Sequence, residues 1–191
     1  MQVYETESTR LCFRRLQAND FNLVASILQD AKTMYNWEHG FSYDEVCDWL
    51  ADNLNRYHAD GSGCMAVFQR NTQRLVGLAG LLLESPKGET ERCASLLYII
   101  RHDYWGNGYG IECAKAMVAY GFEQMQVARI TALIRVDNIP ALVVAAGCGM
   151  QPIQRLKMDY GGKMVGLALC EIRKDEYLKD SETTEDSSEN K

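Results

Sequence analysis

The stretch from Ser95 to Phe122, SLLYIIRHDYWGNGYGIECAKAMVAYGF, constrains this chain more than any other. Leu96 to Ile100 is an apolar run of strand length, short enough to be buried on both faces. Trp105-Gly106-Asn107-Gly108-Tyr109-Gly110 then sets three glycines at alternate positions, where side chains would otherwise hold a ligand off the backbone. Ile111, Ala114, Val118, Phe122 and Met125 follow at helical spacing on one face, with Glu112, Lys115 and Glu123 pointing elsewhere. A glycine loop that opens a helix aims unpaired N–H groups and the positive end of the helix dipole at one spot. That spot suits an anion, usually a phosphate.

Spacing separates the phosphate loops this could be. A dinucleotide fingerprint, G-x-G-x-x-G, would put its last glycine on Ile111 or Cys113, depending on the starting glycine. A triphosphate loop needs Gly-Lys followed by Ser or Thr, which occurs nowhere in the chain. What remains is x-x-x-G-x-G after a buried strand.

The flanking sequence supplies the rest of one domain. Arg10 to Leu16 is predicted to be a first strand, and Asn19 or Asp20 caps a helix carrying Phe21, Val24, Ile27 and Leu28. Met34 to Phe41 is an aromatic-rich loop, and Ser42 with Glu45 makes a capping box for a helix running to about Tyr57. Cys64 to Arg70 and Leu75 to Glu84 read as strands joined by a turn at Asn71-Thr72-Gln73, with a polar loop from Ser85 to Glu91 after them. Arg129 to Val136 alternates as a strand parallel to Leu96–Ile100, because a helix connects the two. Asp137 or Asn138 caps a further helix ending at Gly147 or Gly149, and Gln151–Met158 with Met164–Ile172 form a hairpin around Gly161-Gly162.

Composition narrows the partners. The longest apolar run, Leu75 to Leu83, is far shorter than the roughly 18 residues of a membrane span, and MQVYETESTR has no export core. The expectation is a cytoplasmic protein with no membrane partner. Seven scattered cysteines without a C-x-x-C pair, and three histidines without ligand spacing, predict neither disulfides nor a metal. Of the net charge of −6, four units come from Asp180–Lys191, so the body is close to neutral. That segment has no apolar residue and reads as a disordered acidic tail. No basic stripe interleaved with aromatics points to nucleic acid.

The loop and the element order together resemble the GNAT superfamily of acetyl-CoA-dependent N-acetyltransferases. The Tyr-Trp-Gly-x-Gly-Tyr wording is similar to the branch of ribosomal-protein alanine N-acetyltransferases. The resemblance implies an α/β fold of the α+β kind. It has a central mixed, mostly antiparallel sheet of about seven strands with flanking helices, in the order β-α-α-β-β-β-α-β-α-β-β. The acetyltransferase domain would span 9–178 and the tail 179–191. Acetyl-CoA would be the co-substrate and a primary amine, on a small molecule or a protein N-terminus, the acceptor; a homodimer is left open. Tyr98, Ile99 and Ile100 would offer backbone groups to the pantetheine arm. The amides of Trp105, Gly106, Asn107, Gly108, Tyr109 and Gly110 would hold the diphosphate, with Ile111 as the first helical residue. Asn138 would bond the pantetheine while also capping its helix. Trp105 stands where many members have Gln or Arg.

Two departures matter for chemistry. Ser95 stands where the family often has a carboxylate, and Ala145 where many relatives have a tyrosine acid. Candidate catalytic residues are therefore Glu84, Tyr98 and Ser95, although positioning of the reactants can itself supply much of the rate. Trp37, Glu38 and His39, in the aromatic loop, are the candidate acceptor contacts. Two rival readings remain open: a non-catalytic acyl-CoA-binding domain, favoured by the two departures, and a nicotinamide-dependent oxidoreductase, for which only Asp137 speaks.

Overall fold

The structure, a computed structural model, describes residues 3–37, 39–84, 91–160 and 162–179. The loop expected from Ser85 to Glu91, apart from its last residue, and the acidic tail from Asp180 lie outside them, as does Glu38. In chain order the elements are β1 (Thr6–Glu7), β2 (Leu11–Arg15), α1 (Phe21–Leu28), α2 (Tyr43–Ala59), β3 (Gly63–Gln69), β4 (Leu75–Glu84) and β5 (Cys93–Ile100). After a 3-10 turn at His102–Tyr104 come α3 (Tyr109–Glu123), β6 (Arg129–Arg135), α4 (Ile139–Gly147), β7 (Gln151–Tyr160) and β8 (Lys163–Arg173). No described helix is long and apolar enough to cross a membrane.

The strands form one sheet in the order β1-β2-β3-β4-β5-β6-β8-β7. Every neighbouring pair is antiparallel except β5 and β6, as the helical crossover between them requires. The sheet has eight strands, not seven. The additional one, β1, pairs Thr6 with Phe13 and Glu7 with Cys12, and two residues are too few to show an alternation in sequence.

Local chemistry sets the helix ends. Ser42 and Glu45 form the expected capping box, each bonding the other's backbone N–H. Asp20 occupies the cap position of α1 without capping it; its carboxylate is taken by the Arg14 guanidinium at 2.9 and 3.0 Å and by the Gln17 N–H. Helix α3 starts at Tyr109, two residues before the expected Ile111, because Gly108 sits in the left-handed region at φ 76° and serves as its cap.

Two apolar layers sandwich the sheet. On one face α3 and α4 cover Leu81, Leu96, Ile100, Ala132 and Ile134; on the other α1 and α2 cover Ala66, Leu78 and Ile99. Alternation along β5 and β6 therefore assigns Leu96, Tyr98, Ala132 and Ile134 to the α3 side, and Leu97, Ile99, Leu133 and Arg135 to the α1 side. Strands β3 and β4 run so close that a Cβ on Gly80 would collide with the Gly63 carbonyl oxygen and Cys64 Cα, both backbone atoms. G80A is accordingly expected to lower unfolding free energy by roughly 2–4 kcal/mol in urea titrations, with its slope unchanged.

Candidate active site

Strands β5 and β6 pair only at Cys93–Arg129, Ala94–Ile130 and Ser95–Thr131, and then separate. Each continues alone, β5 to Ile100 and β6 to Arg135, so the sheet opens into a fork. A cleft of about 840 Å³ fills the fork, bounded by the glycine loop, the first turn of α3, one side of α4 and residues 33–37 after α1.

Register decides which backbone groups face the cleft. The Arg101 N–H donates to the Val76 carbonyl, and antiparallel partners exchange bonds at alternate residues. Residues 97 and 99 thus bond toward β4, and 96, 98 and 100 turn their N–H and C=O groups toward β6. Beyond Ser95 these groups have no strand opposite them among the described residues. The backbone groups of Tyr98 and Ile100 face the cleft. Those of Ile99, expected alongside them, do not, since they face β4, and its side chain is buried against α1 and α2. The Ile100 carbonyl already accepts from the Trp105 indole N–H at 2.7 Å, which pins the ring over the fork's end. There the indole meets Tyr35 edge-on at 5.3 Å and His102 at 6.3 Å.

The glycine loop presents donors in the same direction. Gly106 and Gly108 have φ of 75° and 76°, a region open to glycine and strained for side chains. Among the described residues, the N–H groups of Gly106, Asn107, Gly108, Tyr109, Gly110 and Ile111 find no acceptor. Asn107 turns its side chain back, donating to the Tyr104 and Trp105 carbonyls at 3.2 and 3.0 Å, and stays out of the cleft lining. From outside, Arg10 bonds the Asn107 carbonyl, stacks on Tyr109 and pairs with Glu112. Burial works against the charged form of Glu112. Hydrogen bonds from the Arg10 N–H, the Ser8 hydroxyl and the Arg10 guanidinium outweigh it and hold the carboxyl below its ordinary range.

The side-chain candidates divide. Tyr98 lines the cleft beside Gly110, and its hydroxyl has no hydrogen-bond partner among the described residues. Desolvation by burial pushes its pKa well up, so it stays protonated. Glu84 is exposed at the far end of β4, opposite Cys93, where β5 and β6 are still paired, so its side chain is not part of the cleft. Ser95 sits at the closed end of the fork between Leu82 and Thr131, also outside the lining. Ala145 is buried in the cleft wall on α4. Asn138 caps α4 through its side-chain oxygen, bonds the Tyr35 hydroxyl at 3.4 Å and lines the cleft.

Of the acceptor candidates, Trp37 lines the cleft and His39 turns away to Glu45 at 3.2 Å. Thr33, Tyr35 and Asn36 line it unexpectedly. Tyr35 shares the aromatic stretch that singled out Trp37, but an irregular loop has no period to say which side chains turn inward. A polar knot holds this loop to the donor loop. Asp30 accepts from the Thr33 hydroxyl and bonds His102 Nδ1 at 2.7 Å, while the His102 N–H donates to Thr33 Oγ1. Those bonds, Thr33 first and His102 next, hold the Asp30 carboxyl far below its ordinary range.

Comparison with known proteins agrees with this geometry. The family described as acetyltransferase (GNAT) domain matches residues 10–151. The protein YkkB of Bacillus subtilis, whose function is uncharacterised, is 28% identical over 103 residues, covering 54% of this chain and 59% of that one. The chain thus spans about three fifths of that curated relative. Among solved structures, a GNAT-family acetyltransferase from Bacillus anthracis superposes with a TM-score of 0.74 at 22% identity, over 89% of this chain and 98% of that one. Spermidine N-acetyltransferase from Vibrio cholerae, solved with CoA and spermine, gives 0.73 at 20% identity, over 89% and 99%.

Proposed function

Because the chain belongs to the GNAT acetyltransferase family, we propose that it transfers the acetyl group of acetyl-CoA to a primary amine. The observation that carries this reading is the row of unpaired N–H groups from Gly106 to Ile111, set where a forked sheet leaves strand edges open. A diphosphate suits those donors, and an extended pantetheine arm suits the open edge of β5 at Tyr98 and, by its N–H, Ile100. Bound acetyl-CoA supplies the activated acyl group. The chain's own part is to hold the thioester still, keep water out and admit a neutral amine.

In the transfer the amine nitrogen bonds the acetyl carbon, the carbon–sulfur bond breaks, the nitrogen loses a proton and the sulfur gains one. Tyr98 is the group proposed to donate a hydrogen bond, and then its proton, toward the sulfur. No side chain is assigned as base: the proton lost by nitrogen passes to solvent, and Tyr98 regains one from solvent before the next turnover. The α1 side of the fork is walled by Trp37, Leu97 and Leu133, and Arg135 is the one charged side chain among the described residues lining the cleft. Arg135 is itself paired with the Asp137 carboxylate at 3.0 and 2.8 Å, so it is the apolar walls that disfavour an ammonium and favour the free amine that reacts.

The same apolar lining favours an acceptor whose amine sits on a neutral or apolar group over a polycation. Calorimetry with acetyl-CoA, followed by release of CoA thiol across a panel of amines, tests both points. The expected result is donor binding, with turnover on phenethylamine or a neutral peptide N-terminus at least tenfold above that on spermidine. Binding without turnover on any amine would leave a binding domain, and no binding at all would end the reading.

A further inference from the structure

On the acetyl-CoA reading above, we propose that Arg10 is a positioning residue for donor binding, because it neutralises Glu112 and turns the Gly108 N–H toward the diphosphate. Arg10 stands in the turn between β1 and β2, far from the loop in sequence, yet the fold lays its guanidinium against the start of α3. Nε meets Glu112 Oε2 at 2.6 Å, Nη1 meets the Asn107 carbonyl at 3.0 Å, and the guanidinium carbon lies 4.5 Å from the centre of the Tyr109 ring. Tyr109 is itself held by Gln69 Nε2 on its hydroxyl at 2.6 Å.

Two physical consequences follow. Glu112 lies in the first turn of α3, the end whose dipole and free N–H groups would receive the diphosphate. An unpaired carboxylate there, with only 15% of its side chain exposed, would repel a phosphate with little solvent screening. Ser8 Oγ at 2.8 Å and the Arg10 N–H at 2.7 Å satisfy Oε1 as hydrogen bonds, but only the guanidinium removes the charge.

The second consequence concerns the peptide between Asn107 and Gly108. It is planar and trans, so its C=O and N–H point in opposite directions. Holding the carbonyl outward on Arg10 therefore holds the Gly108 N–H the other way, on the side where Gly108 lines the cleft. This supplies, from the turn before β2, a support for the loop that Trp105 does not give from within it.

The test compares wild type, R10Q, E112Q and R10Q/E112Q with two donors, acetyl-CoA and S-acetylpantetheine, the latter lacking the diphosphate. R10Q is expected to raise KM for acetyl-CoA at least tenfold with kcat within twofold, and to leave kcat/KM for S-acetylpantetheine unchanged. Adding E112Q should recover part of the lost affinity. Equal losses on both donors would mean a merely structural role and overturn the inference, as would a double variant no better than R10Q. Should R10Q fail to fold, R10K carries the test: it keeps the charge without the fork, so a loss of acetyl-CoA affinity smaller than fivefold and not repaired by E112Q is expected, and an equal defect on S-acetylpantetheine overturns the inference. Wild type that binds no acetyl-CoA sinks the function reading itself; wild type that binds, with R10Q unimpaired, sinks only this inference.

Discussion

Y98F is expected to lower kcat about 10²-fold while acetyl-CoA affinity changes by less than threefold, since one hydrogen-bond donor aimed at developing charge is worth about that much. Three features single out Tyr98. It is on the face of β5 that packs toward α3 and α4, its ring lies within contact of a Cβ on Gly110, and its hydroxyl has no partner among the described residues. Its raised pKa makes it reluctant to give up a proton in water. The same desolvation raises the pKa of a thiol leaving in that cleft, so the shift of the donor is matched by one of the same direction in the acceptor. Steady-state kinetics of Y98F across pH separates acid from base. An acid-side role leaves the rise of kcat/KM with pH intact, because that limb belongs to the amine; loss of the limb would make Tyr98 a base.

Elements with a period were legible in the sequence, and elements made by convergence were not. The βαβ core, the capping box at Ser42 and the Asn138 cap each rest on residues within a few positions of one another, and all appear as expected. The loop's glycines carry the same kind of local message. Glu84 was a candidate because a strand end next to the pantetheine strand sounds close; the register instead puts it opposite Cys93, at the closed end of the fork. Where β5 and β6 part decides that, and strand divergence has no signature in either strand alone. Arg10, Tyr35 and the Asp30–His102 knot join segments far apart in the chain, so no spacing rule reaches them. Trp105 shows the limit of a substitution pattern. Its indole lacks the amide of a Gln and the charge of an Arg at that place, but fixes the loop on the Ile100 carbonyl.

G108V should abolish measurable acetyl-CoA binding, at least 10²-fold in Kd, while the fold survives. Gly108 has φ 76° and caps α3, and a β-branched residue there costs roughly 1–2 kcal/mol of backbone strain. The chain's escape is to rotate that residue out of the left-handed region, which reorients the peptides on either side of it. Those peptides carry the N–H groups of Gly108 and Tyr109, in the middle of the unpaired row. Each hydrogen bond to a charged group contributes about 1.5–3 kcal/mol, so losing two amounts to roughly 10²- to 10⁴-fold. The Cβ itself meets only Arg10 Nη2, at 3.5 Å, an ordinary van der Waals contact, so crowding is a minor part of the effect. G106A is the matched comparison: it bears the same kind of φ, 75°, with nothing within 4 Å of an added Cβ, and it too should bind acetyl-CoA more weakly by strain alone. Calorimetry for Kd and thermal melts for stability separate the two contributions. A Gly108 variant that melts several degrees lower but binds acetyl-CoA normally would show that the loop amides do not hold the donor.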